Sequence, residues 1–437
     1  MNRIQIKELQ NAGWLIGGRA AQMLLSFLVG VLTARYLGPG NYGVIHYAGS
    51  YVAFFSAFCT LGINSVLLKE LSDAPERQGQ MLGTAIALRL TAGGLSVLTI
   101  CGIALAEHMD EPVTAAVVVL CSVSLLFRAF ELLQYWFQLR YRAHVTAVIT
   151  FVAYGIYTGL KVILLILKKN VIWFAFASAA EYGIVSVLLL VAYQRSGGPP
   201  LSVSWSWGRT LLRKSYHYIL SGMMVAIYGH TDKLMLQMAM NEDAVGFYGA
   251  AVSVCSMWVF VLTALIDSMH PTILAYFKSD AVLFERKNRQ LYALVFYISC
   301  GVSLFLTIFA EPLVHLLYGE AYLPAAKPLR IITWYTAFSY LGVARNPWLV
   351  CQGKQHYLKY IYLAAAVINI LLNLLWIPLW GPSGAAQASL VTQIFTCLIL
   401  PLCIQDLRPN VRLMLQAIGL RGIFEKNALG KADWKDV

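Results

Sequence analysis

Charge is what this sequence has least of. Only 12% of its 437 residues are Asp, Glu, Lys or Arg, about half the roughly 25% usual in a soluble globular chain. So few charges cannot clothe a water-facing surface of this size. A soluble enzyme, a nucleic-acid binder and a disordered tail are excluded as descriptions of the whole chain. Acidic residues are the scarcer sign, 21 against 33 basic, giving a formal charge of +12. Catalytic signatures are missing too. There is no GxxxxGK[ST] loop to cradle a nucleotide, no GxSxG, no HExxH and no zinc spacing. The eight cysteines, Cys59, Cys101, Cys121, Cys255, Cys300, Cys351, Cys397 and Cys403, form no CxxC pair. They lie in apolar stretches or at their ends and read as small core residues, with no disulfide, metal or cofactor expected.

Apolar residues supply 59% of the chain, and the mean hydropathy is +0.65. A membrane-spanning helix needs roughly 20 mostly apolar residues. Apolar runs and their breaks mark twelve candidates: 11–36, 42–68, 81–106, 113–137, 146–167, 171–193, 211–239, 243–272, 290–318, 325–351, 357–380 and 382–405. Polar residues interrupt 146–167 and 211–239 most. Turn chemistry separates neighbours at LGPGNYG (37–43), EHMDEP (107–112) and WGPSG (380–384). Arg3 and Lys7 precede a long apolar run without a small-residue cleavage site, which reads as an uncleaved first membrane helix. The loops are short. None on the outward side exceeds roughly 15–20 residues by these boundaries, too little for the extended loop with which a membrane polymerase or transferase holds its acceptor.

With the N-terminus in the cytoplasm, the inner segments hold 22 Lys/Arg and the outer loops five: Arg35, Lys168, Lys169, Lys327 and Arg330. That asymmetry places both ends inside. SGGPPLSVSWSWGR at 196–209 reads as a flexible interfacial linker with Trp205 and Trp207 at headgroup level. It divides the chain into an N-terminal six-helix bundle (1–195), a cytoplasmic linker (196–210), a C-terminal six-helix bundle (211–405) and a basic tail (406–437). Six is even, so both bundles enter from the same side, as parallel repeats do. YGVIHYAGS at 42–50 aligns with VGFYGAAVS at 245–253 at a shift of 203, which also sets Asn64 opposite Asp267; the Gln138 and Gln352 loops match at 214. VRLMLQAIGL at 411–420 reads either as an amphipathic surface helix or as a frayed terminus.

Ten ionisable groups fall inside the apolar runs: Arg19, Arg89, Arg128, Glu131, Lys161, Glu181, Asp232, Lys233, Asp267 and Arg345. Each would cost roughly 2.5–3.5 kcal/mol facing lipid at mid-bilayer. A hydrated cavity, or ion pairs within the bundle, explains them better. Six are cationic and four acidic, so full pairing leaves a positive surplus suited to an anionic head group such as a phosphate or pyrophosphate. Arg19 and Arg89 lie about two turns into their helices, facing the cavity or snorkelling to the inner headgroups. Arg128 and Glu131, three apart, form a natural local ion pair. Lys161 and Glu181 pair with each other, or Lys161 faces the cavity. GHTDK at 229–233 is the densest polar patch. His230, Asp232 and Lys233 there suit either ion coupling or a helix-packing network. Asp267 precedes Pro271 by four residues, and Arg345 sits beside Pro347, settings for cation binding or a hinge.

TARYLGPGNYGVIHYAGSYVAFFSAFCTLGINSVLLKEL at 33–71 resembles the opening of bacterial lipid-linked oligosaccharide flippases, the O-antigen and exopolysaccharide repeat-unit translocases. TDKLMLQMAMNEDAVGFYGAAVSV (231–254), LVHLLYGEAYLPAAKPLRII (313–332) and NILLNLLWIPLWGPSGAAQASLVTQ (369–393) fit the same family. The wider superfamily includes multidrug-and-toxin exporters and lipid II flippases. The resemblance implies an all-α integral membrane fold of about twelve helices, two bundles forming a V around a central cavity open alternately to either side. It implies no enzyme activity. The substrate would be an undecaprenyl-pyrophosphate-linked glycan moved across the bacterial inner membrane, driven by a monovalent cation, a proton or the membrane potential. Arg19, Arg89, Arg128, Lys161, Lys233 and Arg345 would then receive the head group. Membrane lipid and other polysaccharide assembly proteins would be its partners. The matched acidic position of the seventh helix is Asp232. A cation-coupled drug exporter is the alternative, disfavoured by six cations against four acids. A membrane-embedded glycan polymerase or transferase, and a non-transporting scaffold, stand behind it.

Overall fold

The computed structural model describes residues 3–419, with side chains from residue 22 onward except those of Ser65, His217, Leu220 and Ser221. The Arg19 side chain and the end of the tail lie outside the described residues. Every regular element among the described residues is helical.

The first two expected helices form one run, α1 (Arg3–Cys59), bent at Gly38. Gly38 has φ +73°, a conformation L side chains resist, and it precedes Pro39, which bars the helical region to its neighbour. A turn over 60–63 with Gly62 at φ +60° leads into α2 (Asn64–Asp73). Then come α3 (Gln78–Glu107), α4 (Pro112–Ser122), α5 (Ser124–Phe127), a 3-10 turn over Arg128–Leu132 and α6 (Leu133–Leu139). The fourth apolar run is therefore jointed where one continuous helix was expected. Ser122 and Ser124 turn their hydroxyls back onto the Val119 and Cys121 carbonyls at 2.7 and 2.6 Å, competing with the helix ladder at the joint. α7 (Ala143–Ile166) and α8 (Val171–Arg195) match their expected ranges closely.

The remaining helices are α9 (Trp205–Ala239), α10 (Glu242–Ser256), α11 (Val259–Ser279), α12 (Ala281–Ile308), α13 (Ala310–Tyr318), α14 (Ala326–Ala344), α15 (Asn346–Cys351), α16 (Leu358–Trp380), α17 (Pro382–Ile394), α18 (Leu400–Cys403) and α19 (Arg408–Ile418). The run expected over 243–272 breaks at Met257–Trp258, and α12 begins earlier than the expected residue 290. Among the described residues nine helices are long and apolar enough to cross a membrane. α9 is long but interrupted by polar residues, and α10 is only 15 residues. Many large apolar side chains on the long helices stay exposed, among them Leu98, Ile166, Leu375 and Leu379. Lipid is the solvent that tolerates them, and the chain is a multi-pass membrane protein.

Packing divides the chain into two compact units, one spanning Leu25–Gly249 and the other running from Ala250 together with the chain before Leu25. In the first, Met81 and Leu82 of α3, Leu67 and Leu71 of α2, and Trp136 and Phe137 of α6 form a fully buried cluster that also takes in Leu211 of α9. α9 is fastened there by Lys214, whose Nζ lies 2.6 Å from Glu70 Oε1. Glu70 is buried while Lys214 is half-exposed. Removing the lysine strands a buried carboxylate; removing the carboxylate leaves the lysine in solvent. Lys214→Ala is therefore expected to lower thermal stability in detergent more than Glu70→Gln, whose cost is about 1 kcal/mol or less. The reverse order would show that the carboxylate does not depend on its partner.

The 196–204 segment, expected to be flexible, is laid along α3. Ser204 N–H donates to Thr84 Oγ1 at 2.9 Å, Ser202 N–H reaches the Gly79 carbonyl at 3.4 Å, and Tyr193 O–H donates to the Pro199 carbonyl at 2.6 Å. In the second unit the tail is neither a lone surface helix nor frayed over 408–418. α19 buries Leu413, Met414 and Ala417 in the cluster around Leu291 and Tyr292 of α12. Asn410 Nδ2 donates to Tyr292 O–H at 2.6 Å, and Tyr297 O–H to the Ile418 carbonyl at 2.6 Å. Its amphipathic face is spent on protein instead of lipid.

Candidate functional site

Within the Leu25–Gly249 unit, the end of α1, the middle of α3 and the jointed 124–132 stretch meet around a pocket. Ser56, Cys59, Thr60, Arg89, Leu125, Arg128, Ala129 and Glu131 line it, and it is small and open on one side. Gly93 lets α3 approach the Leu125 carbonyl closely. Arg89 is 4% exposed. Its guanidinium donates to Asn64 Oδ1, and Nη1 reaches the Arg128 carbonyl at 3.5 Å. Arg128 donates to Ser56 Oγ at 2.9 Å and to Tyr182 O–H at 2.8 Å, with its guanidinium 4.4 Å over the Tyr182 ring. Both arginines keep a buried Nε–H with no hydrogen-bond partner.

The expected Arg128–Glu131 ion pair is not among the ion pairs of the described residues. Arg128 instead reaches across to α1 and α8, because Ser56 and Tyr182 stand closer along its side chain than the carboxylate of its own turn. Glu131 remains half-buried in the pocket wall, its carboxylate near both arginines. Two cations beside one carboxylate leave the pocket wall with a positive surplus, which suits an anion.

A second cluster lies on α1, α7, α9 and α10. Lys161 sits 4.6 Å over the Tyr157 ring, with Glu181 beyond it within electrostatic reach and no ion pair between them among the described residues. Asp232 is buried and accepts from Tyr248 O–H at 2.6 Å. Its neighbour Lys233 reaches His46 Nδ1 at 3.5 Å. His230, half-buried, precedes Lys233 by three residues on α9. Glu181 stands within electrostatic reach of both Lys161 and Arg128, linking this cluster to the pocket.

Eight of the expected residues, Arg89, Arg128, Glu131, Lys161, Glu181, His230, Asp232 and Lys233, thus fall in one compact unit. Arg345 and Asp267 belong to the other. Arg345 is 3% exposed and keeps two buried unpaired donors, Nε and Nη1, whereas Asp267 is exposed on α11. Ser56, Cys59, Thr60, Tyr182, Tyr248 and His46 were not anticipated. Ser56 and Thr60 stand four apart on one helix, a legible sign of a polar stripe; His46 carried no such sign.

The stretches matched at a shift of 203 pack against each other. A methyl group on Gly43 would strike the Glu242 carbonyl and the Gly246 amide, one on Gly246 the Pro39 carbonyl, and one on Gly40 would lie 3.1 Å from Asp243 Oδ1. Residues 39, 40 and 43 correspond to 242, 243 and 246. Each contact therefore maps onto itself when the two stretches are exchanged, as across a two-fold axis. The internal duplication gains physical support from this exchange.

Residues 32–327 match a family described as polysaccharide biosynthesis protein. No curated protein matches the chain. Among solved structures it is similar to the lipid II flippase MurJ in an inward closed conformation, with TM-score 0.70 and 12% identity over 93% of this chain and 91% of that one. It is also similar to an inward-facing multidrug resistance MATE family transporter of the MOP superfamily, with TM-score 0.67 and 14% identity over 92% and 96%. The MATE multidrug transporter DinF-BH matches at TM-score 0.60 and 16% identity over 92% and 94%. At these identities the likeness is one of fold.

Proposed function

The chain belongs to the polysaccharide biosynthesis protein family and is built as membrane transporters are; from this premise we propose that it is no enzyme but a lipid-linked oligosaccharide flippase. It carries an undecaprenyl-pyrophosphate-linked repeat unit from the cytoplasmic to the outer leaflet of the bacterial inner membrane. The chain works as two six-helix bundles, 1–195 and 211–405, with both termini cytoplasmic, and exposes a hydrated cavity alternately to either side. A multi-sugar pyrophosphate would lose many hydrogen bonds in hydrocarbon, each costing several kcal/mol. The cavity keeps the head group solvated while the polyprenyl chain stays in lipid. An ion gradient or the membrane potential drives the cycle.

One observation carries this reading: two guanidiniums, those of Arg89 and Arg128, line a single pocket against one carboxylate, Glu131. A cationic drug would meet two guanidiniums there, which disfavours the exporter alternative. Deleting the gene in its host is expected to abolish surface glycan and to accumulate the lipid-linked repeat unit in the inner leaflet, where a membrane-impermeant glycan oxidant applied to intact spheroplasts does not reach it. Undiminished surface glycan, or accumulation in the outer leaflet, would reject the reading. Sensitivity to cationic dyes with normal glycan would favour the exporter.

A further inference from the structure

His46 on α1 is the one group of the second cluster whose charge the transport reading leaves unused. Tyr42, one turn earlier, meets the imidazole edge-on with centroids 4.5 Å apart. Nδ1 faces Lys233 Nζ of α9 at 3.5 Å. From α10, Gly249 closes on the ring so tightly that a methyl group there would strike it. At the shift of 203, Gly249 is the counterpart of His46 itself. The imidazole of one repeat fills the space left by the glycine of the other, so this pseudo-symmetric position carries a single imidazole where the repeat could have set two.

An ammonium only donates, so Nδ1 is the acceptor and the proton of the neutral ring sits on Nε2. Other charged groups face this seam. Lys161 comes from α7, with Glu181 of α8 near it. Lys233 and Asp232 come from α9, where His230 lies a turn earlier, and Tyr248 of α10 is bound to Asp232. Tyr47, next along α1, is engaged with Tyr51, Glu107 and His108 at 3.1, 3.3 and 3.2 Å. Beside the ring two ammoniums thus stand against Glu181 and Asp232, with Glu107 behind Tyr47 and Asp243 beside Gly40 adding further negative charge. A proton added at Nδ1 removes the acceptor of the Lys233 hydrogen bond and sets a third positive charge against it.

We propose that His46 is the proton-binding site of the transport cycle, and that a proton taken from water onto Nδ1 displaces Lys233 and parts the 42–49 stretch of α1 from α9 and α10. Proton binding and separation of the seam are then one event. By linkage, the parted conformation holds the proton more tightly. The inference rests on the flippase reading only for what the proton drives.

The test uses nitroxide labels at Asn41→Cys and Asp243→Cys, both exposed positions flanking the seam, in Cys403→Ser protein reconstituted in lipid nanodiscs. As the pH is lowered from about 8 through and below the free-imidazole range, a second, longer interspin distance is expected to grow in. His46→Gln keeps an acceptor for Lys233 and does not titrate, so it is expected to hold the short distance throughout. A distance independent of pH in the unsubstituted protein, or an equal lengthening in His46→Gln, overturns the proposal. Histidine-selective carbon NMR guards against a misfolded variant. The resonance missing from His46→Gln must shift over the same pH range in the unsubstituted protein, and a resonance that stays fixed also overturns it. Either failure would leave the glycan phenotype of the gene deletion standing, so the two readings are separable.

Discussion

Arg89→Met is expected to abolish glycan export while leaving the purified protein at least as resistant to thermal unfolding as the unsubstituted chain. Arg89 is a buried cation with no carboxylate within 4.0 Å among the described residues. Methionine matches the stem and removes a desolvated charge, a change that is often neutral or stabilising. The anionic ligand loses one of its two guanidiniums. Removing one partner of a buried, hydrogen-bonded charge pair costs about 2 kcal/mol or more, roughly a 30-fold loss. Arg89→Lys should not restore export, because a point charge replaces the planar fork that holds Asn64 and the ligand together. Surface-glycan labelling at matched protein levels, beside melting in detergent, checks both halves. Normal export by Arg89→Met would remove the pocket from the mechanism.

Valine at Gly43 or at Gly246 is expected to destabilise the chain by about 1–3 kcal/mol, or to hold the seam apart. At each position an added side chain would meet backbone, which cannot swing aside: the Glu242 carbonyl for Gly43 and the Pro39 carbonyl for Gly246. Because these contacts exchange under the repeat, the two variants should behave alike. Gly49→Ala is the control, since nothing lies within 4 Å of the position its Cβ would take. Melting curves in detergent and the distance between labels at Asn41 and Asp243 read the outcome. If Gly43→Val were as stable as Gly49→Ala, the seam would not be the close contact described.

The fold class was legible because lipid imposes it. A chain this poor in charge needs helices that satisfy their own backbone, and apolar runs mark where most of the nine long ones among the described residues lie. The joints were not legible, since the break at Val123 comes with the backward bonds of the Ser122 and Ser124 hydroxyls, which apolar periodicity does not record. Arg89 could be singled out by the cost of burying it. Its partner Asn64 surfaced only through the repeat, and Tyr182 hid beside the more conspicuous Glu181. The Arg128–Glu131 pairing was misjudged because spacing along a helix says which groups are near, not which neighbour from another helix is nearer. His46 escaped notice for a similar reason: its meaning comes from Gly249, a residue with no side chain to notice.

The docking of α19 onto α12 bears on how the polypeptide is made. Asn410 closes over Tyr292 across a separation of 118 residues. The cover for that face of α12 therefore leaves the ribosome only after all the long membrane helices of the described residues. Until then the half-made protein carries an open apolar groove, of the kind that chaperones and proteases recognise. A nascent chain released before this helix emerges should be cleared by quality control, even though every long membrane helix has already been synthesised.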